Sequence, residues 1–209
     1  MPLGNLLNWL GSSAVFSNIL RRLVENNFSA QKRLIREHLL TAPGLCAGDA
    51  KILDMGCGTG ELSHLIPAKS YIGMDFFWQH LRHAARRYPD RGFTQVDGRA
   101  MAFPSARFDA ILVVGVLHHM DESTVDATMT EIQRVIKPGG RVLVLEDIPT
   151  RAWWNLPGRL IHAADLGAHI RPPAVYSTWI ERYFKIDLQF PVLSGFCDYQ
   201  VFVLTRKLF

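Results

Sequence analysis

The stretch that decides the reading of this chain is Ile52-Leu53-Asp54-Met55-Gly56-Cys57-Gly58-Thr59-Gly60. A short apolar run closes on an acid, and glycines follow at alternate positions. An apolar run before a glycine-rich turn and an amphipathic segment predicts strand, loop and helix. Glycine has no Cβ, so its backbone takes positive φ and comes within contact distance of a ligand. On this reading the first amides of the helix face whatever sits over the loop, and the helix dipole favours a negative group there. The stretch is a binding device for a flat or anionic small molecule.

Outward from that loop the chain alternates. Strands are expected at Lys51–Met55, Ser70–Asp75, Gly92–Asp97, Phe108–Val116, Gly140–Glu146, Lys185–Val192 and Tyr199–Arg206. The clearest helices between them are Phe77–Tyr88 and Asp121–Ile136. Such alternation implies βαβ units and an α/β, doubly wound, mostly parallel seven-stranded sheet. The last two strands follow each other across Ser194-Gly195 and are expected as an antiparallel pair at one edge. Pro138 is expected to stop the preceding helix, with Gly139-Gly140 making the turn into the fifth strand. Ser29–Leu40 reads as a further helix with Ser29 as its cap.

With 209 residues the chain suits a single domain. Its expected parts are an N-terminal helical segment over 1–45, a binding core over 50–147, a lid over 148–176, and a last helix with edge strands over 177–209. The formal charge of +4 is mildly basic. Arg82, Arg86, Arg87 and Arg91 form the densest cluster, interrupted by His83 and Asp90, and read as the solvated face of a helix. No stripe of aromatics and basics accompanies them, which argues against nucleic acid. Cys46, Cys57 and Cys197 show no C-x-x-C spacing and are expected as reduced thiols of a cytoplasmic protein. No apolar run is long enough to span a membrane. Leu6, Trp9, Leu10, Phe16, Leu20 and Leu23 recur at helical spacing before Arg21 and Arg22. That N-terminal helix packs on the domain in one reading and makes peripheral contact with a membrane in the other.

A dinucleotide fingerprint requires G-x-G-x-x-G, and here the third glycine falls one residue early. The nine residues instead closely resemble the first motif of the Rossmann-like (class I) S-adenosylmethionine-dependent methyltransferases. The resemblance runs over about residues 50–147, through Val96-Asp97 with its downstream Phe103-Pro104, Leu117-His118-His119-Met120, and Lys137-Pro138-Gly139-Gly140. It implies that fold, with an antiparallel last strand, and S-adenosyl-L-methionine as cofactor. The N-terminal helices and the lid lie outside it.

What the resemblance implies can be set against the chemistry of single residues. In a parallel sheet the carboxyl ends of the strands converge on one ligand. Asp54, Gly56, Cys57, Gly58 and Gly60 form the loop. Asp75 would accept from both ribose hydroxyls and Phe76 would lie against the adenine face. Asp97 would accept from the adenine amino group, with the Gly98 or Arg99 amide on a ring nitrogen. Gly115 would bring backbone beside the methionine part. Each acid also reads as an ordinary strand-end turn residue.

Methyl transfer from a sulfonium is an in-line displacement, so alignment does most of the work. A base helps when the acceptor is protonated. His118 and His119, at the end of the fourth strand, are the first candidates, and His162 and His169 on the lid are rivals. The pair also reads as packing. Glu146 and Asp147 would orient a histidine. No spacing suggests a metal. Trp153, Trp154 and Trp179 line an acceptor pocket in one reading and pack the core or lid in the other. The expected function is methyl transfer to a small, partly apolar acceptor, lipophilic or aromatic, at oxygen. The competing classes are a non-catalytic module that binds the cofactor as a partner or sensor, and an NAD-linked oxidoreductase.

Overall fold

The structure is a computed structural model that describes residues 22–42, 45, 49–164 and 169–207, with only the backbone described at 162–164. The expected N-terminal helix over residues 1–20 lies outside the described residues. The strands are β1 Ile52–Met55, β2 Tyr71–Asp75, β3 Gly92–Gln95, β4 Phe108–Val114, β5 Ile136–Asp147, β6 Phe184–Ser194 and β7 Cys197–Arg206. The helices are α1 Ser29–Leu34 (continued by a π-helical stretch, Ile35–Leu40), α2 Trp78–Arg87, α3 Glu122–Val135, α4 Leu156–Ala164 and α5 Pro173–Tyr183.

One sheet runs in the order β3-β2-β1-β4-β5-β7-β6. The first five strands are mutually parallel, and β7 is antiparallel to both β5 and β6. The alternation of sequence explains the centre. In β4, Ile111 and Val113 point into one apolar layer with Val125, Met129 and Ile132 of α3 and Tyr176 and Ile180 of α5. Ala110, Leu112 and Val114 point into the other, with Leu34, Ile35 and Leu39 of the first helical segment. A strand covered on both faces reads as a continuous apolar run, and this one does.

Several expectations shift at the boundaries. β3 ends at Gln95, so Asp97 lies beyond the strand. Helix α3 ends at Val135, ahead of Pro138, and residues 136–140 form an irregular start to β5 with Gly139 at φ +75°. Asp121 caps α3 by accepting from the Thr124 amide. Ser29 is not a cap: Phe28 holds that position in a left-handed conformation, and Ser29 is the first helical residue. The expected lid contains α4, and α5 begins within it, at Pro173.

The hairpin between β6 and β7 turns through Gly195 and Phe196. Gly195 has φ +59°, and a Cβ there would fall on the Val24 carbonyl, whose oxygen accepts from the Phe196 amide. Beneath it Glu25, Gln31, Ser194 and Tyr199 form a buried polar cluster. Gln31 and the Tyr199 hydroxyl both donate to the Glu25 carboxylate, and Ser194 donates to Gln31.

Leu112 is fully buried in the central strand. Leu112→Ala is expected to cost about 2–5 kcal/mol of unfolding free energy. Leu188→Ala, at an exposed site on the edge strand, should cost about 0.5 kcal/mol or less. Urea denaturation of both variants checks the contrast.

Candidate functional site

The glycine loop leaves β1 at the carboxyl edge of the sheet, and three of its glycines have positive φ: Gly56 (+70°), Gly58 (+53°) and Gly60 (+77°). At Gly56 a Cβ would stand 2.5 Å from Val116 Cγ2, so this glycine lets the β1 loop and the β4 exit pack together. Around Gly58 a Cβ would meet nothing, so that backbone faces open space. The loop does not run into an α-helix. After turns at 56–62 comes a short 3₁₀ segment, Ser63–Leu65. The expected bundle of helical amides and its dipole are therefore absent. What remains is a backbone cradle, a cavity lined by Phe28, Asp54, Gly56, Cys57, Gly58 and Thr59, closed by Glu61, Leu62 and Val114.

Phe28, Thr59, Glu61 and Leu62 were not among the expected site residues. Nothing local marks Phe28, which reaches the cavity because Asn26, Asn27 and Phe28 take three successive left-handed conformations. Arg22 clamps the same segment to Glu61.

Asp54 is buried in the cavity wall and accepts from the Tyr71 hydroxyl at 2.8 Å. Burial raises its pKa to about 7, against the Tyr71 hydrogen bond and with a smaller push from Asp75. Burial, Asp54 and Asp75 also push the Cys57 thiol up, so it stays protonated and packs.

Asp75 is bidentate. Its Oδ2 accepts from the Gly58 amide at 2.9 Å and its Oδ1 from the Phe77 amide at 2.8 Å, with His80 Nδ1 at 3.5 Å. It thereby pins the glycine loop to the end of β2, and each oxygen keeps a further lone pair for a ligand hydroxyl. Phe76 beside it is 59% exposed. Asp97 is engaged by Arg99, whose side chain donates to both oxygens and whose amide donates to Oδ1 at 2.9 Å. That hydrogen-bonding holds the Asp97 carboxyl below the usual range. In this arrangement the Arg99 amide is committed to Asp97 and does not point to a ligand. Met101 lies in the core and Phe103 packs edge-on against Phe108. Gly60 packs near Ala84, Phe93 and Tyr88, a structural place away from the cavity lining.

At the β4 exit, Gly115 has φ +63° and donates its amide to Leu145. A 3₁₀ turn, Leu117–His119, follows. His118 is buried, and its Nδ1 lies 3.0 Å from Glu146 Oε2. Glu146, fully buried at the end of β5, also accepts from the amides of Val116, Leu117 and His118. Asp147 Oδ2 is 3.8 Å from the same ring nitrogen. The exposed His119 ring sits 4.0 Å, centroid to centroid, from that of His118. The His169 amide donates to the His118 carbonyl, so three of the four expected histidines converge. The side chain of His162 lies outside the described residues.

Arg171, which carried no sequence signal, ties this corner together. It donates to the carbonyls of Leu117, His169 and Met120 and stacks 4.5 Å from the Trp179 ring. Trp179 is buried and donates to Glu122, so it packs the core, whereas Trp153 and Trp154 are 83% and 66% exposed. Among the described residues no three His, Cys, Asp or Glu side chains are arranged to hold a metal ion. Nor is any described helix long and apolar enough to cross a membrane.

Comparison with known proteins bears on residues 52–140, which match the family described as "Methyltransferase domain". The ubiquinone/menaquinone biosynthesis C-methyltransferase of Cellvibrio japonicus is 34% identical over 125 residues, 54% of this chain and 49% of that protein. The demethylmenaquinone methyltransferase of Thermus thermophilus is 33% identical over 107 residues, 47% and 48% of the two chains. The chain thus spans about half the length of the curated relatives it matches. Among solved structures, the geranyl diphosphate C-methyltransferase of Streptomyces coelicolor superposes with TM-score 0.70 at 14% identity, covering 87% of this chain and 81% of that one. The PH0226 protein of Pyrococcus horikoshii gives 0.68 at 17% identity, covering 90% and 96%. These likenesses establish the fold, a Rossmann-like methyltransferase sheet with its antiparallel seventh strand, as the sequence implied.

The raised Asp54 pKa has a thermodynamic consequence. The folded state keeps a proton that the unfolded chain, with an ordinary carboxyl near 3.8, releases first. Stability therefore falls as pH rises from about 4 to about 7 and levels off above, a difference of about 4 kcal/mol at most. Asp54→Asn should flatten this part of the profile, measured as urea unfolding free energy at pH 4, 5.5, 7 and 8. An identical slope in both proteins would place the Asp54 proton elsewhere.

Proposed function

We propose that this chain, whose residues 52–140 carry the methyltransferase domain of the class I, S-adenosylmethionine-dependent family, methylates a small, partly apolar acceptor bearing an ionisable hydroxyl. The observation that carries the reading is the His118–Glu146 pair, set on the turn that packs against the glycine loop. The cavity supports the cofactor: its backbone is open at Gly58, its floor holds an acid at Asp54, and Asp75 adjoins it through the Gly58 amide.

In this reading Gly56, Cys57 and Gly58 give close backbone approach, and Asp75 takes ribose hydroxyls on the lone pairs its two amides leave over. The exposed Phe76 ring lies against the adenine, and Asp97 accepts from the adenine amino group beside Gly98 and Arg99. Gly115 flanks the amino-acid end. Bound there, S-adenosyl-L-methionine supplies a methyl group on a sulfonium, already activated for displacement. What the chain adds is alignment and a place for one proton. With Nδ1–H donated to Glu146, the His118 ring carries its lone pair on Nε2, which takes the proton from the acceptor hydroxyl. The exposed His119 and the nearby His169 are the alternative bases.

An aromatic hydroxyl that has lost its proton is nucleophilic at oxygen and at the ring carbons beside it. Oxygen is the position expected from the residues. The name of the Cellvibrio japonicus relative, a C-methyltransferase, favours carbon as a second reading. Mass spectrometry and NMR of the product separate the two, and the same base serves both.

Calorimetry with S-adenosylmethionine, its demethylated product, NAD and NADP should show binding of the first two only. Asp75→Ala should weaken that binding by about 1.5–3 kcal/mol, the scale of a lost hydrogen bond to a charged group. Tight nicotinamide binding without response to the sulfonium would reject the cofactor reading.

Assayed on a panel of short-chain hydroquinones and phenols, His118→Gln should lower turnover about 100- to 10,000-fold and remove the acidic limb of the pH–rate profile. Cofactor affinity should hold. Glu146→Gln should move that limb without abolishing binding, since it changes the partner of the ring and not the ring. Near-full activity of His118→Gln, His119→Gln and His169→Gln on an acceptor the wild type methylates would rule out proton removal by these histidines.

A further inference from the structure

Among the described residues, the exposed large apolar side chains are not scattered: most belong to segments that leave the carboxyl ends of β2, β5 and β6. Phe76, Phe77 and Trp78, each more than half exposed, follow the end of β2. On the opposite rim, beyond the end of β5, stand Trp153, Trp154 and Leu156, with Leu160 one turn further along α4. Phe196 joins them at the β6–β7 turn, where Asn155 donates to its carbonyl, and Leu23 is next to Val24, which accepts from its amide. The amino edge of the sheet has the opposite character, with Lys51, Lys69, Asp109 and Lys137 linked in polar contacts.

Charge has the same polarity. Residues 76–89 contain no acid, and α2 exposes Arg82, Arg86 and Arg87 behind its aromatic start. Residues 148–164 contain no acid either, and α4 exposes Arg159. Aromatic rings at a rim with arginines set behind them are the composition of a lipid interface: rings occupy the headgroup level while guanidinium groups meet anionic headgroups. An exposed apolar surface of this kind marks an interaction site. The apolar groups come from separate segments on two sides of an opening. A fluid bilayer moulds to separated side chains and leaves the opening facing lipid, whereas a rigid protein seated on both rims would seal it.

We infer that the carboxyl edge of the sheet docks on an anionic lipid bilayer, with Phe77 and Trp78 on one rim and Trp153, Trp154 and Leu156 on the other entering the headgroup layer. The site then opens toward the membrane, and an apolar acceptor reaches it from the lipid phase without crossing water. The docking surface stands independently of methyl transfer and of the identity of the acceptor.

Flotation of the full chain with vesicles of phosphatidylcholine, alone and with about one-third phosphatidylglycerol, tests this. Binding is expected to the anionic vesicles and to weaken, without vanishing, at high salt. Trp153→Ala/Trp154→Ala and Phe77→Ala/Trp78→Ala should each weaken it about tenfold or more, while Leu188→Ala leaves it unchanged. Far-ultraviolet circular dichroism and the urea midpoint show that each variant is folded. Failure to bind either vesicle overturns the inference. So does binding that persists in both double variants but is lost in Leu6→Ala/Trp9→Ala, which would place the anchor in the N-terminal segment. Sedimentation showing that the edge variants instead dissolve a dimer would assign this surface to a second copy of the chain and overturn it likewise.

Discussion

A carboxylate shut away from solvent governs the carboxyl edge of this sheet. Glu146, the penultimate residue of β5, is fully buried, where a lone acid would cost several kcal/mol. Its partners are three successive amides at 2.9, 2.8 and 3.3 Å, from Val116, Leu117 and His118, and the His118 ring at 3.0 Å. These are the amides that β4 leaves unpaired where it breaks from the sheet. The acid and the broken strand satisfy each other, so the turn that carries His118 has one low-energy conformation. The histidine is thus oriented by the same contact that closes the backbone hydrogen-bond account of the fold.

The position of that turn sets the rest of the site. Val116 packs onto Gly56, which leaves no room for a side chain there. Asp75 holds the other side of the loop through Gly58. Arg171 fastens the far side of the turn by three carbonyls and lies against Trp179. Loop, turn and returning chain are therefore locked from three directions by polar contacts that need no ligand. This is the preorganisation that transfer of an already activated group demands, because alignment is the main thing the protein supplies. The apolar side chains exposed on segments leaving the same edge of the sheet bear on access: polar groups fix the inside, and aromatic rings face outward.

The seven strands, the helices α2 and α3, and the parallel core with its antiparallel end were legible along the chain. Each is written in nearest-neighbour terms, as apolar alternation or a glycine break. The glycine loop and Asp75 were legible for the same reason. The α-helix expected after Gly60 was not there, since residues 61–70 settle into 3₁₀ turns whose Leu62 and Ile66 are drawn into the layer beneath the sheet. Tertiary packing outweighed a local pattern.

The sequence by itself determined the succession of the strands, two of the helices between them, and the acids and glycines at or near the strand ends, because those depend on spacing within one segment. It could not determine which side chains meet. Trp153 and Trp179 are chemically the same, yet one projects into solvent and the other is buried under Arg171. Asp54, inside β1, and Asp97, two residues past β3, are the same side chain, yet burial raises one to about 7 while hydrogen-bonding to Arg99 holds the other low. Glu146 meets His118 from 28 residues away in the chain. Burial, pairing and exposure belong to the folded neighbourhood, where groups distant in sequence share one low-dielectric volume, and only the tertiary structure decides them.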